Sequence, residues 1–155
     1  ADTTYGTLHD ALMETGASLL VETLERLAAG TLVRTPQTGA SCYAARITHE
    51  TVMMDWSKKA QELDAFVRGL NPVPYAQTAL DGAVYKIGAM RTVGRTASAP
   101  AGTIISADVK AGLVAAAGDE DVEILELQAP GKKMMSAAAF LNGCALTIGT
   151  RFCHE

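Results

Sequence analysis

The sequence lacks the features that mark most membrane proteins and many cofactor-binding enzymes. No apolar run reaches the length of about 18 residues that a membrane helix requires. The chain also has no GxGxxG, P-loop or HExxH pattern. Because these patterns place backbone amides against phosphates or histidines around zinc, the common dinucleotide, phosphate-loop and zinc-protease sites are not predicted.

Cysteine is scarce as well. The three cysteines, Cys42, Cys144 and Cys153, form no CxxC pair, and their odd number does not suit a closed disulfide framework. The start of the chain has neither the basic head nor the apolar middle of a secretory signal. We therefore expect a cytoplasmic protein with no membrane partner. Since the chain begins without methionine, we also expect a fragment or processed product of a longer protein.

The composition predicts a soluble globular protein. With 155 residues, of which 48% are hydrophobic, the chain can bury a core of its own. Its net charge of -4 neither requires nor excludes an anionic partner. Five of the acidic residues lie in "DEDVEILE", residues 119–126, which leaves room for a basic face elsewhere in the second part of the chain.

Helical periodicity first occurs between Thr7 and Ala29. Leucines recur there mostly four residues apart, which predicts one buried stripe that Gly16 divides into a short and a longer helix. Thr7 and Asp10 have the spacing of an N-terminal capping box. His9 and Asp10 are adjacent, and neighbouring side chains on a helix diverge, so we do not expect them to pair as a catalytic base and its partner.

A second amphipathic helix is predicted over residues 57–70. Leu63, Phe66 and Val67 share one face, which we expect to pack across a sheet. Ser57 is the predicted N-cap, and Trp56 is placed to staple the helix entry against the core. The segment between the two helical stretches is polar and contains proline and glycine, as is typical of a connection between packed units.

After Pro74 the pattern changes to five short strand-like runs separated by glycine-rich turns. Asp81-Gly82 between the first two runs predicts a tight hairpin, and Gly88 and Gly102 suit bulges or barrel corners. A short helix, "SAAAFLNG", follows the last run. The predicted fold is mainly β with flanking helices: an OB-fold-like antiparallel β-barrel preceded by a helical segment and a linker.

One pattern near the end of the chain is specific: Leu-Gln-x-x-Gly-Lys-Lys-x-Met-Ser, then Phe-Leu-Asn-Gly, within residues 127–143. Together with the segments before it, in the same order, it resembles the carboxy-terminal half of the methionyl-tRNA formyltransferase family. Those segments are "TYGTLHDALMETGASLLVETLERLAAG", "YAARIT", "DWSKKAQELDAFVRGLNPVPYAQT" and "GTII".

The resemblance implies three divisions of the chain. Residues 1–29 would be the last helices of a catalytic domain that is otherwise absent, residues 30–48 a linker, and residues 49–155 an OB-like tRNA-binding domain. In that family the catalytic domain transfers a formyl group from 10-formyltetrahydrofolate to initiator methionyl-tRNA in translation initiation. Its catalytic Asn, His and Asp lie upstream, so the resemblance implies no catalytic residue, cofactor site or metal site here. The parent would be an enzyme, and this chain alone would be inactive.

The implied partners are initiator methionyl-tRNA, which the isolated chain would bind weakly, and the chain's own amino-terminal catalytic domain. Lysine and arginine contact phosphates without reading sequence, so basic residues are the candidates. Lys132 and Lys133 match lysines of the family pattern, whereas Cys144 and Ala145 stand where many members have two arginines. The predicted nucleic-acid-binding residues are Arg46, Lys86, Arg91, Arg95, Lys132 and Lys133.

Two other functions are consistent with the same residues. The barrel could belong to a related formyltransferase that acts on a small substrate such as a sugar nucleotide, or it could be a purely structural buttress. A lysine pair where a loop meets a helix is also often only a solvated corner. The continuous match through "GKKMMSAAAFLNG" favours the tRNA enzyme.

Overall fold

The strand-like runs after Pro74 form one antiparallel sheet, which confirms the predicted fold class. The structure is a computed structural model that describes residues 2–153, so Ala1, His154 and Glu155, at the ends of the predicted divisions, lie outside it. In chain order the elements are helix α1 (Tyr5–Ala28), helix α2 (His49–Val52), helix α3 (Ala60–Leu70), strands β1 (Ala76–Leu80), β2 (Ala83–Thr96), β3 (Ile104–Asp108), β4 (Gly112–Ala116), β5 (Glu120–Gln128) and β6 (Met135–Ser136), and helix α4 (Ala137–Gly143).

The strands lie in the order β1-β2-β5-β4-β3, and the short β6 pairs with β5. The predicted hairpin is confirmed, because Leu80 pairs with Ala83 across the two-residue turn Asp81-Gly82. Both turn residues have positive φ, 51° and 74°, as the tightest hairpin turns require. Gly88 lies at a bulge in β2, where the pairing with β5 shifts register, as its position predicted.

The two outer strands, β1 and β3, are joined by the end of the described chain instead of by a continuous ladder. Ala79 of β1 exchanges hydrogen bonds of 3.0 and 2.9 Å with Cys153. On the other side, the Ile104 N–H donates to the Thr150 carbonyl at 2.8 Å, and the Phe152 N–H donates to the Gly102 carbonyl at 2.8 Å. Residues 149–153 therefore bridge the opening of an OB-like sheet that does not close on itself.

A hydrophobic core lies between the sheet and α3. Leu63 and Val67 are buried, as the helical pattern predicted, but Phe66 is only partly buried and packs at the edge. One step along a helix is about 100° around its axis, so Phe66 lies on the flank of the buried stripe. The largest core residues contributed by the strands are Ile87, Ile104, Leu113, Ile124 and Leu127.

Trp56 has the packing role that the sequence predicted. Its ring is buried and stacks on Phe152, with the ring centroids 5.2 Å apart and the planes 12° from parallel. The indole N–H donates to the Thr78 hydroxyl at 2.9 Å, so its polar atom is satisfied inside the core. The stacking of Trp56 on Phe152 attaches the closing segment, residues 149–153, to the rest of the core.

The predicted start of the second helix is wrong. Ser57 does not cap it, because its hydroxyl donates to the Asp55 carboxylate at 2.6 Å and the helix begins at Ala60. The Ala60 N–H instead donates to the Asp119 carboxylate at 2.8 Å. Asp119 lies in the β4–β5 turn, 59 residues along the chain, so a tertiary contact supplies the cap that local sequence was expected to provide.

Helix α1 also differs from its prediction. It is one continuous helix through Gly16, because a glycine costs only about 1 kcal/mol relative to alanine and does not by itself break a long helix. The capping box uses Thr4 with Thr7, not Thr7 with Asp10. None of its residues is buried, and the leucines predicted to form a buried stripe are between 48% and 61% exposed.

Residues 31–48 contain no helix or strand and are exposed almost throughout, in keeping with their composition. Gly30, with φ of 69°, follows the C-cap of α1, as expected of a residue that stops a helix. Over the described part of the chain, none of the helices combines the length and apolar character needed to cross a membrane.

Candidate nucleic-acid interface

Lys132 and Lys133 lie on a tight turn between β5 and β6. The Lys132 N–H donates to the Ala129 carbonyl at 3.0 Å, and Gly131 takes the positive φ of 69° that such a Pro-Gly turn needs. The Gln128 side-chain amide donates to the Lys132 carbonyl at 2.5 Å, which attaches the turn to the end of β5. Both lysine side chains are exposed on this anchored backbone.

The sheet register places Lys86 beside this turn. Lys86 pairs with Gln128 across β2 and β5, and Gln128 is the residue that holds the turn. The next pair, Ile87 and Leu127, is fully buried, so the side chains of Lys86 and Gln128 point to the outer face of the sheet. We call Lys86, Lys132 and Lys133 the lysine corner. None of the three forms an ion pair with any residue in the range 2–153.

The two arginines predicted on β2 are each held by a carboxylate. Arg91 binds Glu123 on the neighbouring strand at 2.6 and 2.8 Å. Arg95 binds the fully buried Asp121 at 2.7 Å, and Asp121 also accepts from the Ser98 N–H at 3.2 Å. Since their charges are largely compensated locally, these arginines offer an anion less attraction than the unpaired lysines do.

Arg46 is exposed in the segment before α2. Within the described range, no hydrogen bond or ion pair connects it to the lysine corner or to the sheet. The structure thus brings together three of the six predicted residues, pairs two with carboxylates and leaves Arg46 apart.

A groove of about 730 Å³ lies between the start of α1, α3 and the middle of β2. Sequence reasoning did not identify it, because its walls come from three separate segments. Its charged lining consists of two acids and two arginines, Asp2, Asp64, Arg68 and Arg91. Arg68 pairs with Asp64, and Arg91 pairs with Glu123, so both arginines of the lining are compensated by carboxylates. Asp2 is then the one lining charge without an ion pair among the described residues, and a single exposed carboxylate does not select a ligand.

The pKa values of Tyr85 and Asp108 are shifted, and neither residue belongs to the lysine corner. Burial raises the pKa of Tyr85, with smaller contributions from the charges of Cys144 and Asp81. Hydrogen bonds from the N–H groups of Ala111 and then Lys110 lower the pKa of Asp108, which caps the β3–β4 turn. Both shifts have structural causes and do not indicate a catalytic group.

The residues from 2 to 153 contain no cluster of three or more His, Cys, Asp or Glu side chains that could hold a metal ion. The expectation that His9 and Asp10 diverge is wrong, since the His9 Nδ1 lies 3.1 Å from the Asp10 carboxylate. His9 also lines an open depression on α1 together with four other residues, Tyr5, Leu8, Leu12 and Met13. Most of that lining is apolar, both members of the pair are largely exposed, and a pair with no nucleophile beside it does not indicate catalysis.

Residues 46–145 match the family described as "Formyl transferase, C-terminal domain", which covers the sheet, α3 and the lysine corner. The chain belongs to this family. The resemblance predicted from the ordered segments that end in residues 127–143 is therefore confirmed, and the match includes the turn that carries Lys132 and Lys133.

Curated relatives of this formyl transferase C-terminal domain are named methionyl-tRNA formyltransferase. The relative from Thiobacillus denitrificans is 44% identical over 150 residues, covering 96% of this chain and 48% of the relative. The relative from Geobacillus sp. (strain WCH70) is 42% identical and covers 98% of this chain and 49% of the relative. The chain therefore spans about half the length of the curated relatives it matches, corresponding to their carboxy-terminal part.

Solved structures of similar fold include a variant of HypX from Aquifex aeolicus. The two structures superpose with a TM-score of 0.67 at 15% sequence identity, and the aligned region covers 92% of this chain and 26% of the HypX chain. HypX in complex with tetrahydrofolic acid has a TM-score of 0.58 and 16% identity, covering 85% of this chain and 25% of HypX. At this identity the likeness shows that the formyl transferase C-terminal fold is shared.

Proposed function

We propose that this chain is the carboxy-terminal part of a methionyl-tRNA formyltransferase and that it positions initiator methionyl-tRNA without taking part in the chemistry. The observation that carries the proposal is the match over 96% of the chain to a protein of that name. The same match favours a tRNA substrate over a sugar nucleotide, because the curated relatives share the name methionyl-tRNA formyltransferase.

The lysine corner is the proposed centre of tRNA contact. Lys86, Lys132 and Lys133 form no ion pair within residues 2–153, and the turn that carries the last two is fixed to β5 through Gln128. Lysine binds phosphate as a point charge, so the corner needs only an approximate approach of the RNA backbone. This contact orients the RNA and does not read its bases.

Arg91, Arg95 and Arg46 remain in the proposed contact set with smaller expected contributions. The side chains of Arg91 and Arg95 are more than half exposed, so each still has donors that could reach a phosphate. Their carboxylate partners compensate the attraction that each would exert. Arg46 would contact RNA only where the segment before α2 passes along it.

The formyl transfer itself is assigned to the half of the relatives that this chain does not span. We expect that half to hold 10-formyltetrahydrofolate as co-substrate and to supply the catalytic residues, in the cytoplasm. The proposed divisions are residues 1–29 as the last helical part of that half, residues 30–48 as a linker, and residues 49–155 as the tRNA-binding domain. The name of the relatives supports this assignment, and the exposed apolar face of α1 supports the first division.

The apolar face of α1 is the proposed docking surface for the amino-terminal half. Its leucines are about half exposed, and burying the rest of each would stabilise the assembly by about 1 kcal/mol. Hydrogen exchange tests this assignment: α1 amides should exchange more slowly in the longer protein than in this chain. Equal exchange in the two proteins would assign the face to solvent. Slowing that depends on the concentration of this chain would assign it to a second copy.

Titration of the chain with initiator tRNA across a salt series tests the lysine corner. If Lys132 and Lys133 each neutralise one phosphate, the double variant K132A/K133A should lower the slope of log affinity against log salt by about two units. The matched control is K58A/K59A, which removes another adjacent lysine pair, ahead of α3, without touching the corner. An equal loss in both variants, or no loss in either, would contradict phosphate contact at the corner.

A further inference from the structure

The first turn of α1 is fastened to the end of α3 and to the residues that follow it. The Gly6 N–H donates to the Asn71 carbonyl at 2.9 Å. The Arg68 guanidinium donates to the Thr3 carbonyl at 3.0 Å. These two hydrogen bonds join residues that are about 65 positions apart. They therefore fix the start of α1 against α3 and the OB-like sheet on which α3 packs, a unit we call the barrel domain.

Arg68 is itself held in place. Its Nε donates to the Asp64 carboxylate at 2.9 Å, one turn earlier in α3, and both side chains are less than one-third exposed. The pair leaves another guanidinium nitrogen directed at Thr3. Because the guanidinium group is planar and rigid, its bond to Asp64 also sets the direction of its bond to Thr3.

Gly6 is required by the close approach of the two elements. A Cβ atom at this position would lie 2.7 Å from Cδ and 3.4 Å from Cγ of Pro72, and 3.6 Å from the Asn71 carbonyl oxygen. The proline ring is stiff, so a side chain on residue 6 would have to move the helix or the loop. Gly16, the other glycine of α1, has no atom within 4 Å of its Cβ position.

Beyond its first turn, α1 is not held by a buried contact, since none of its described residues is buried. A helix of 24 residues is about 36 Å long. Its direction is therefore set at one end, and a rotation of about 10° there would move the other end by about 6 Å. Few contacts at this end control a large displacement at the other.

We propose that Gly6, Arg68 and Asn71 form a rigid joint that sets the direction in which α1 leaves the barrel domain. A consequence for tRNA rests on the proposed function. If the amino-terminal half docks on α1, the joint fixes the orientation of that half relative to the lysine corner. Gly6, Arg68 and Asn71 are then positioning residues for tRNA, although none of them contacts it.

Residual dipolar couplings of backbone amides in this chain test the joint without tRNA. In the wild type, one alignment tensor should fit the amides of α1 and of the sheet together. In Gly6→Ala, the couplings of α1 should no longer fit the wild-type orientation, while those of the sheet are unchanged. Gly16→Ala is the matched control, because it makes the same change in the same helix where the added methyl group meets nothing.

Helix propensity favours both alanine variants, so altered couplings in Gly6→Ala would not come from a less stable α1. Alanine favours a helix over glycine, so both variants should make α1 itself more stable. Arg68→Gln provides a second route by removing the charged donor to Thr3. Arg26→Gln is its control, since the ion pair of Arg26 is with Glu22 inside α1. The proposal of a rigid joint would be overturned if the wild type needs two alignment tensors. It would also be overturned if the α1 couplings of Gly6→Ala and Arg68→Gln match those of their controls.

The consequence for tRNA is measured in the longer protein. Gly6→Ala should weaken tRNA affinity or raise the KM for tRNA while leaving the salt slope unchanged, because no phosphate contact is lost. An unchanged affinity would refute the link between the joint and tRNA positioning. The K132A/K133A slope judges the proposed function separately, so failure of the joint and failure of the lysine corner are distinguishable.

Discussion

Replacing Phe152 by alanine tests whether residues 149–153 hold the two edges of the sheet together. Phe152 is 2% exposed, and its ring stacks on Trp56. Removing a fully buried phenylalanine ring costs about 3 to 5 kcal/mol, because both the transfer energy and the contacts around the resulting cavity are lost. For a protein of this size, that loss lowers the melting temperature by on the order of 10 °C.

Phe66→Ala is the matched comparison, because it removes the same ring from a partly buried position. Its site opens to solvent and leaves no closed cavity, so we expect about half the loss found for Phe152. Urea unfolding followed by circular dichroism measures both values without depending on the fluorescence of Trp56, which Phe152 contacts.

Hydrogen exchange separates closure of the sheet from general packing. The amide of Ala79 donates to Cys153, and that of Ile104 donates to Thr150. Both amides should lose protection in Phe152→Ala and keep it in Phe66→Ala. If Phe152→Ala costs less than about 1 kcal/mol and both amides stay protected, the closing segment does not depend on this ring and the reasoning is refuted.

Three further predictions concern single sites and the chemistry. Asp119→Ala should destabilise the chain by about 1 kcal/mol in urea unfolding through loss of the α3 cap, and Asp119→Asn by less; a larger effect of Ser57→Ala would contradict this assignment. The Asp108 pKa is lowered by the Ala111 and Lys110 amides, so its stabilising contribution is present above the usual aspartate range and is lost as the pH falls through the folded-state value. The stability difference between wild type and Asp108→Asn should therefore shrink below about pH 4, and a constant difference from neutral to acidic pH would argue against it. The isolated chain should not formylate methionyl-tRNA when supplied with formyl donor, and turnover above a buffer blank would place catalytic residues within it.

The sequence predicted the elements whose signals are local. Asp81-Gly82 specified a hairpin turn because both residues accept positive φ, and the spacing of Leu63 and Val67 specified the buried face of α3. The pattern around Lys132 and Lys133 was specific enough to indicate the family. Within the candidate site, it identified the basic residues but not which of them are unpaired.

Charge pairing could not be predicted because it depends on sheet register. Arg91 meets Glu123 and Arg95 meets Asp121 only because β2 and β5 align in one particular way around the bulge at Gly88. The same register puts Lys86 beside Gln128, and thus beside the lysine turn. A register shift of one residue would exchange the outer and inner faces of a strand. The identity of a single residue therefore does not show which charged side chain it will meet across the sheet.

The sequence by itself determined the fold class, the family and the presence of a helical segment before the sheet, since each depends on local patterns and on their order along the chain. Only the tertiary structure decided that Asp119 caps α3, that residues 149–153 join the sheet edges, and that α1 is fastened to the barrel domain at Gly6 while its leucines stay exposed. The physical reason is distance along the chain: these contacts join residues far apart in sequence, and chain folding alone brings them within bonding range.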